Sequence, residues 1–169
     1  AARENIWCWF FGLLNAVLSI YLFFLAKLYA ESVLYFYYVL ASVYGWYAWQ
    51  YERRNQKPLH IITWPWHYHL LTILAGTMLS LLLAWVLWEY TDAQLPIIDA
   101  HTTIFSFIAT FLVTRKVLEN WIYWIVIDAV SVGLYWSRDL YLYALLMFAY
   151  TFIAIWGYGQ WKKLHQPSS

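Results

Sequence analysis

The sequence predicts an all-α polytopic membrane protein with six transmembrane helices. Three observations lead there. Of the 169 residues, 64% are hydrophobic and only 11% charged, whereas a soluble domain is roughly half apolar and about a quarter charged. Apolar runs close to the ~20 residues that cross a bilayer alternate six times with short polar segments. If all six cross, eight of the ten Lys and Arg residues fall on one side, the asymmetry that marks a cytoplasmic face.

The first run, Trp7 to Ala26, carries no charge, and Lys27 to Glu31 turns the chain back into the second, Ser32 to Tyr51. The polar stretch Glu52 to Leu59 closes this pair. Trp64 to Trp88 is the third run, with Pro65 near its start, and the acidic segment Glu89 to Pro96 follows it. Ile97 to Val113 is the fourth and most polar. Val117 to Trp136 and Leu140 to Trp161 are the fifth and sixth, before the polar tail Lys162 to Ser169. Arg3, Arg53, Arg54, Lys57, Arg115, Lys116, Lys162 and Lys163 form the basic side, opposed by Lys27 and Arg138. Both ends of the chain are then expected in the cytoplasm. The opening Ala-Ala-Arg-Glu-Asn-Ile-Trp has no initiator Met and sets a charged pair directly before a span. It reads as the tail of an earlier segment.

A repeat links the first and last helix pairs. Asn15-Ala-Val17, Leu28-Tyr29, Tyr38 and Gly45-Trp-Tyr-Ala-Trp49 correspond to Asp128-Ala-Val130, Leu140-Tyr141, Tyr150 and Gly157-Tyr-Gly-Gln-Trp161. The offset is 113 at Asn15 and 112 from Leu28 onward, which needs one residue of slippage. Both copies run from inside to outside and back, so the repeat is parallel, an arrangement known in transporters. Resemblance among aromatic-rich helices is the simpler alternative.

Asp128 is the leading candidate for chemistry. A carboxylate at bilayer depth costs roughly 2.5–3.5 kcal/mol on insertion scales, and such residues usually face the bundle interior. The alternative is a structural hydrogen bond or ion pair with another helix. Trp121, Trp124 and Asp128 share one helix face by their spacing, flanked by Asn120 and Ser131. An aromatic-and-carboxylate stripe suits a planar heteroaromatic cation. Trp121 fits an interfacial aromatic belt as well as a pocket, and so do Trp46 and Trp49. Asn15, the repeat mate of Asp128, is expected to face the same cavity. Asp99, Thr102, Thr103, Ser106 and Thr110 give the fourth run one polar face. His67, His69 and His101 are scattered without metal-ligand spacing and read as structural. Neither a metal nor a cofactor is expected. The net charge of +1 gives no reason to expect nucleic-acid binding, and the single Cys8 cannot form an internal disulfide.

Enzyme signatures are missing: there is no His-Glu-x-x-His, no Gly-x-Ser-x-Gly and no Gly-rich phosphate loop. An intramembrane enzyme using Asp99 and Asp128 is the rival of another class, but the Gly-x-Gly-Asp motif expected of it is absent. A structural or assembly protein is the third reading.

Through Tyr44-Gly45-Trp46-Tyr47-Ala48-Trp49, Thr114-Arg115-Lys116 and Glu119-Asn120-Trp121, the chain closely resembles the PnuC family of vitamin transporters, over nearly its whole length. The resemblance implies a fold similar to the sugar-transporting SWEET proteins. Two three-helix bundles flank a linker helix, seven helices in all, in a homotrimer. Residues 1–59 would be the last two helices of the first bundle, 60–96 the linker, and 97–169 the second bundle, with one helix expected before Arg3. It also implies facilitated diffusion of a vitamin B precursor across a bacterial inner membrane, by alternating access with metabolic trapping. Nicotinamide riboside is the expected substrate and thiamine the alternative; both carry a cationic aromatic ring. Tyr35, Tyr38, Ser42 and Tyr150 join the expected site. Some nicotinamide riboside members carry Gln, Asn and Asn where Tyr35, Ser42 and Asp128 stand.

Overall fold

The computed structural model describes residues 6–25, 29–54, 60–91, 95–137, 139 and 141–165, with side chains described for all of these except 22–25, 29–33, 52 and 53. Arg3, Ala26, Lys27, Leu28, Lys57, Leu59, Arg138, Leu140 and Ser169 lie outside this set. So do the side chains of Tyr29, Glu31, Ser32, Glu52 and Arg53.

Among the described residues six helices follow in order: α1 (Trp7–Leu25), α2 (Tyr29–Arg54), α3 (Trp66–Tyr90), α4 (Pro96–Thr114), α5 (Asn120–Trp136) and α6 (Tyr141–Leu164). Of these, α3, α4 and α6 are long and apolar enough to cross a membrane. Each of the six lies within three residues of its expected start and end, α2 extending three residues beyond its run at both ends and α6 three beyond at its last turn. Pro96 is the first residue of α4, where the missing N–H would have had no partner anyway.

The boundary that falls short of its expected run by most is the start of α5, at Asn120 rather than Val117. The reason lies at the end of α4. Val117 N–H donates to Leu112 O and Lys116 N–H to Val113 O, both at 3.0 Å. This is a Schellman motif with Lys116 in its left-handed position, at φ 55°. The turn is then captured by an extended segment. Ile62 N–H donates to Lys116 O at 3.0 Å, and Leu118 N–H to Ile62 O at 2.8 Å, a single parallel β-bridge.

Among the described residues, the backbones of α1 and α2, of α3 and α4, and of α5 with α4 and α6 run close together, and α2 joins the two parts by packing on α4. The α3–α4 contact shows how such helices adhere in lipid. Gly76, Ser80 and Ala84 are the buried residues of α3, one small side chain per turn, which lets the backbones approach. Beyond them Leu70, Leu71, Leu74, Leu81 and Leu82 are exposed, as expected of a lipid-facing surface. Ser80 Oγ donates back to Gly76 O at 2.7 Å, and Thr102 and Thr151 do the same on α4 and α6. A hydroxyl in a bilayer is thereby satisfied within its own helix.

The α2–α4 junction is made by Tyr37. Its hydroxyl donates to Phe107 O at 2.9 Å, and the two rings meet edge-on at 4.5 Å.

Candidate functional site

Two groups of side chains emerge, at different depths. The deeper one lies on α5. Asp128 is the central residue of that helix, eight positions from either end. It is 6% exposed, as is Ser131, and Trp124 is half-buried one turn below. Among the described residues, no side chain or backbone N–H donates a hydrogen bond to the Asp128 carboxylate. Ser42 on α2 is buried, with Tyr35 and Tyr38 half-buried and paired edge-on at 5.5 Å. Tyr150 is exposed.

The second group gathers at the end of the bundle that carries the α4–α5 turn. Trp9 of α1 and Trp49 of α2 meet at 5.3 Å with ring planes 87° apart. Trp121 of α5 and Trp161 of α6 meet at 5.4 Å and 89°. Trp49 and Trp161 connect the two pairs at 6.2 Å. Each pair is seated on a glycine. A Cβ on Gly45 would lie 2.5 Å from the Trp9 ring, and one on Gly157 2.7 Å from the Trp121 ring. Ile61, Val113, Leu118 and Ala154 share this core. Asn120 is fully buried beside it, its Nδ2 donating to Val117 O.

The geometry sorts the candidates. Trp49, Trp121 and Asn120 belong to this packed cluster rather than to an aromatic belt at the membrane surface. Trp46 lies at its margin, with Nε1 donating to Gln50 Oε1 at 3.1 Å. It lines an open cavity of about 300 Å³ with Ile6, Trp7, Gln50 and Arg54. A second, of about 310 Å³, opens between α2, α3 and α4 beside Tyr37 and Phe107. Neither is lined by Asp128, Trp124 or Ser131.

The repeat is real in three dimensions but its register changes. Trp9, Gly45 and Trp49 match Trp121, Gly157 and Trp161 at a uniform offset of 112. Because α1 and α5 are uninterrupted, no residue can slip between Trp9 and Asn15. The counterpart of Asp128 is therefore Ala16, 1% exposed, and not Asn15. Asn15 is exposed, one residue and so about 100° round the helix from the buried face. The matching Ala-Val tripeptides suggested the slip; the tryptophans give the true frame.

Three features escaped the sequence reading. Lys116, counted only as one residue of the basic side, is 1% exposed, its Nζ 4.7 Å from the centre of the Trp49 ring. Trp9 was not singled out, although its match to Trp121 was available in the offset. His69 ties α3 to α5, with Nδ1 3.1 Å from the Tyr123 hydroxyl and Nε2 3.7 Å from Glu119 Oε2. Glu119 also accepts from Trp64 N–H at 3.3 Å.

The carboxylates do not make a catalytic pair. Asp99 stands in the first turn of α4, and Asp128 midway along the antiparallel α5. At 1.5 Å per residue they differ by roughly 10 Å in depth.

A family model described as "Nicotinamide mononucleotide transporter" matches residues 1–163. The chain is 30% identical to the nicotinamide riboside transporter PnuC of Escherichia coli (strain K12), over 95% of this chain and 78% of that protein. It is 27% identical to the protein of the same name from Neisseria mucosa, over 91% and 63%. For the one from Haemophilus influenzae the figures are 26%, 96% and 73%. A crystal structure of the vitamin B3 transporter PnuC superposes with a TM-score of 0.75 at 23% identity, covering 99% of this chain and 76% of that one, a likeness of fold. These matches, and carboxylates too far apart to act together, set aside the enzyme reading: the chain belongs to the PnuC family of membrane transporters.

Proposed function

We propose that the chain carries nicotinamide riboside across a bacterial inner membrane by alternating access, down its gradient, with phosphorylation inside the cell trapping the product. The observation that carries this reading is the buried Asp128 carboxylate with no hydrogen-bond donor among the described residues. A charge in that position calls for a countercharge. The pyridinium ring of nicotinamide riboside supplies one, and Trp124 offers it a stacking face one turn away. The names of the relatives agree. The same carboxylate argues against a mononucleotide, whose phosphate would add negative charge near an anion.

Uptake of labelled solute into proteoliposomes tests this directly. Nicotinamide riboside is expected to accumulate to equilibrium unchanged, without ATP, and to raise the melting temperature of the detergent-solubilised protein. Thiamine gives the alternative outcome, since its thiazolium ring meets the same charge requirement. A protein that shifts with neither would overturn the proposal.

The proposal extends to arrangement. All six helices span, the linker α3 separates two bundles, and three copies assemble. The basic face is cytoplasmic, so the carboxyl end lies inside and the segment around Gln94, outside the described residues, faces out. With Cys8 replaced by Ser, a cysteine at Gln94 is expected to react with an impermeant maleimide added to intact cells. Labelling only after the cells are opened would reverse the topology.

A further inference from the structure

We infer that Lys116, Trp49 and Trp161 form the inner gate of the transport path, closed in this structure, with the Lys116 ammonium as its latch. The inference rests on the transporter reading but not on the identity of the substrate.

The backbone supplies the first argument. Lys116 occupies the left-handed position of the Schellman turn, at φ 55°, where glycine is the usual residue because a side chain is disfavoured there. A strained residue persists when something else fixes it, and such residues cluster at switch regions. The side chain supplies the second argument. Lys116 is 1% exposed, although an ammonium is strongly hydrated and rarely buried without compensation. Its Nζ stands 4.7 Å from the centre of the Trp49 ring, within the range of a cation–π contact.

That contact crosses between the two parts of the molecule. Trp49 belongs to α2, which with α1 forms one part. The turn bearing Lys116 is bonded to the Ile62 segment. His165, just past α6, approaches Ile61 O at 2.8 Å through Nδ1, and Glu119 binds Trp64 N–H. The segment from Ile61 to Trp64 and α3 to α6 are thus fastened together, and Lys116 moves with them. At this end α2 is held against that body by ring contact with Trp161 and by the ammonium.

Such a contact can open without stranding a charge. Withdrawal of Trp49 exchanges an aromatic face for water around the same ammonium, so neither state leaves it bare. The closed state also sets a positive charge across the exit, which opposes leakage of cations.

Cysteine accessibility tests this. Thr110, one turn inside the end of α4 and buried, is replaced by Cys in a Cys8→Ser background and labelled with an impermeant thiosulfonate from the cytoplasmic face. Lys116→Met and Lys116→Gly are expected to speed labelling about tenfold or more, the loss of a desolvated cation–π contact, whereas Lys116→Arg keeps the charge and labels like the parent. Lys116→Gly relieves the strained turn, so its melting temperature should not fall, which separates gating from misfolding. Unchanged labelling in Lys116→Gly, or equally fast labelling in Lys116→Arg, would overturn the assignment. Labelling needs no solute, so a wrong substrate would leave this result standing.

Discussion

Asp128→Asn is expected to weaken nicotinamide riboside binding by about 1–3 kcal/mol, roughly tenfold to a hundredfold, while leaving the protein folded. The amide keeps the shape and one acceptor but removes the charge. Inside a low-dielectric site that charge attracts a ring cation far more strongly than it would in water. Removing an ionisable group from bilayer depth also lowers the cost of insertion, so the melting temperature should hold or rise. Trp124→Ala should weaken the same ligand through loss of a stacking face, and Trp124→Phe should do so less. Titration calorimetry alongside thermal melting distinguishes the roles. Normal binding with a much lower melting temperature would make Asp128 a structural residue, with partners to be sought among Thr103 and Ser106 of α4.

Gly45→Ala and Gly157→Ala should each destabilise the protein by about 1–3 kcal/mol, the usual effect of overfilling a packed core. The added methyl would enter the Trp9 ring at 2.5 Å or the Trp121 ring at 2.7 Å, distances no relaxed carbon pair adopts. The two rings cannot retreat far, because Trp9 and Trp121 are also packed edge-on against Trp49 and Trp161. Paired with Trp9→Leu, Gly45→Ala should recover part of its loss, since neighbouring changes are coupled through the space they share. Melting curves of the two single variants and the double variant measure that coupling. If Gly45→Ala melts with the parent, the tight seat has no energetic weight.

Helix positions were legible because the bilayer imposes them: a span needs a certain apolar length, and a charge at either end is visible in one dimension. The start of α5 was not, because Val117 and Leu118 look like helix while a turn three residues earlier had already claimed their backbone. The burial of Lys116 was not legible for a related reason. A basic residue at a loop is normally solvated, and only the left-handed turn and the neighbouring indole take it inside. The choice between Asn15 and Ala16 depended on one residue of register, and a short motif outweighed the Trp9–Trp121 match that continuous helices require. Asp128 could be found from sequence alone because a lone carboxylate amid apolar residues needs no partner to be conspicuous. The Trp49 and Trp161 contact could not, since nothing local announces that residues 112 apart meet across the molecule.

The tryptophan cluster also makes the protein its own optical probe. Trp9, Trp49, Trp121 and Trp161 sit in a chain of ring contacts of 5.3, 6.2 and 5.4 Å, close enough for their excited states to interact. The two outer contacts lie within one part of the molecule each, and the middle one, tilted by 49°, joins the parts. A rocking motion would therefore alter a single indole pair and leave the other two as internal standards. Near-ultraviolet circular dichroism is expected to register that change without any attached dye, as a difference signal above the constant contribution of the other tryptophans.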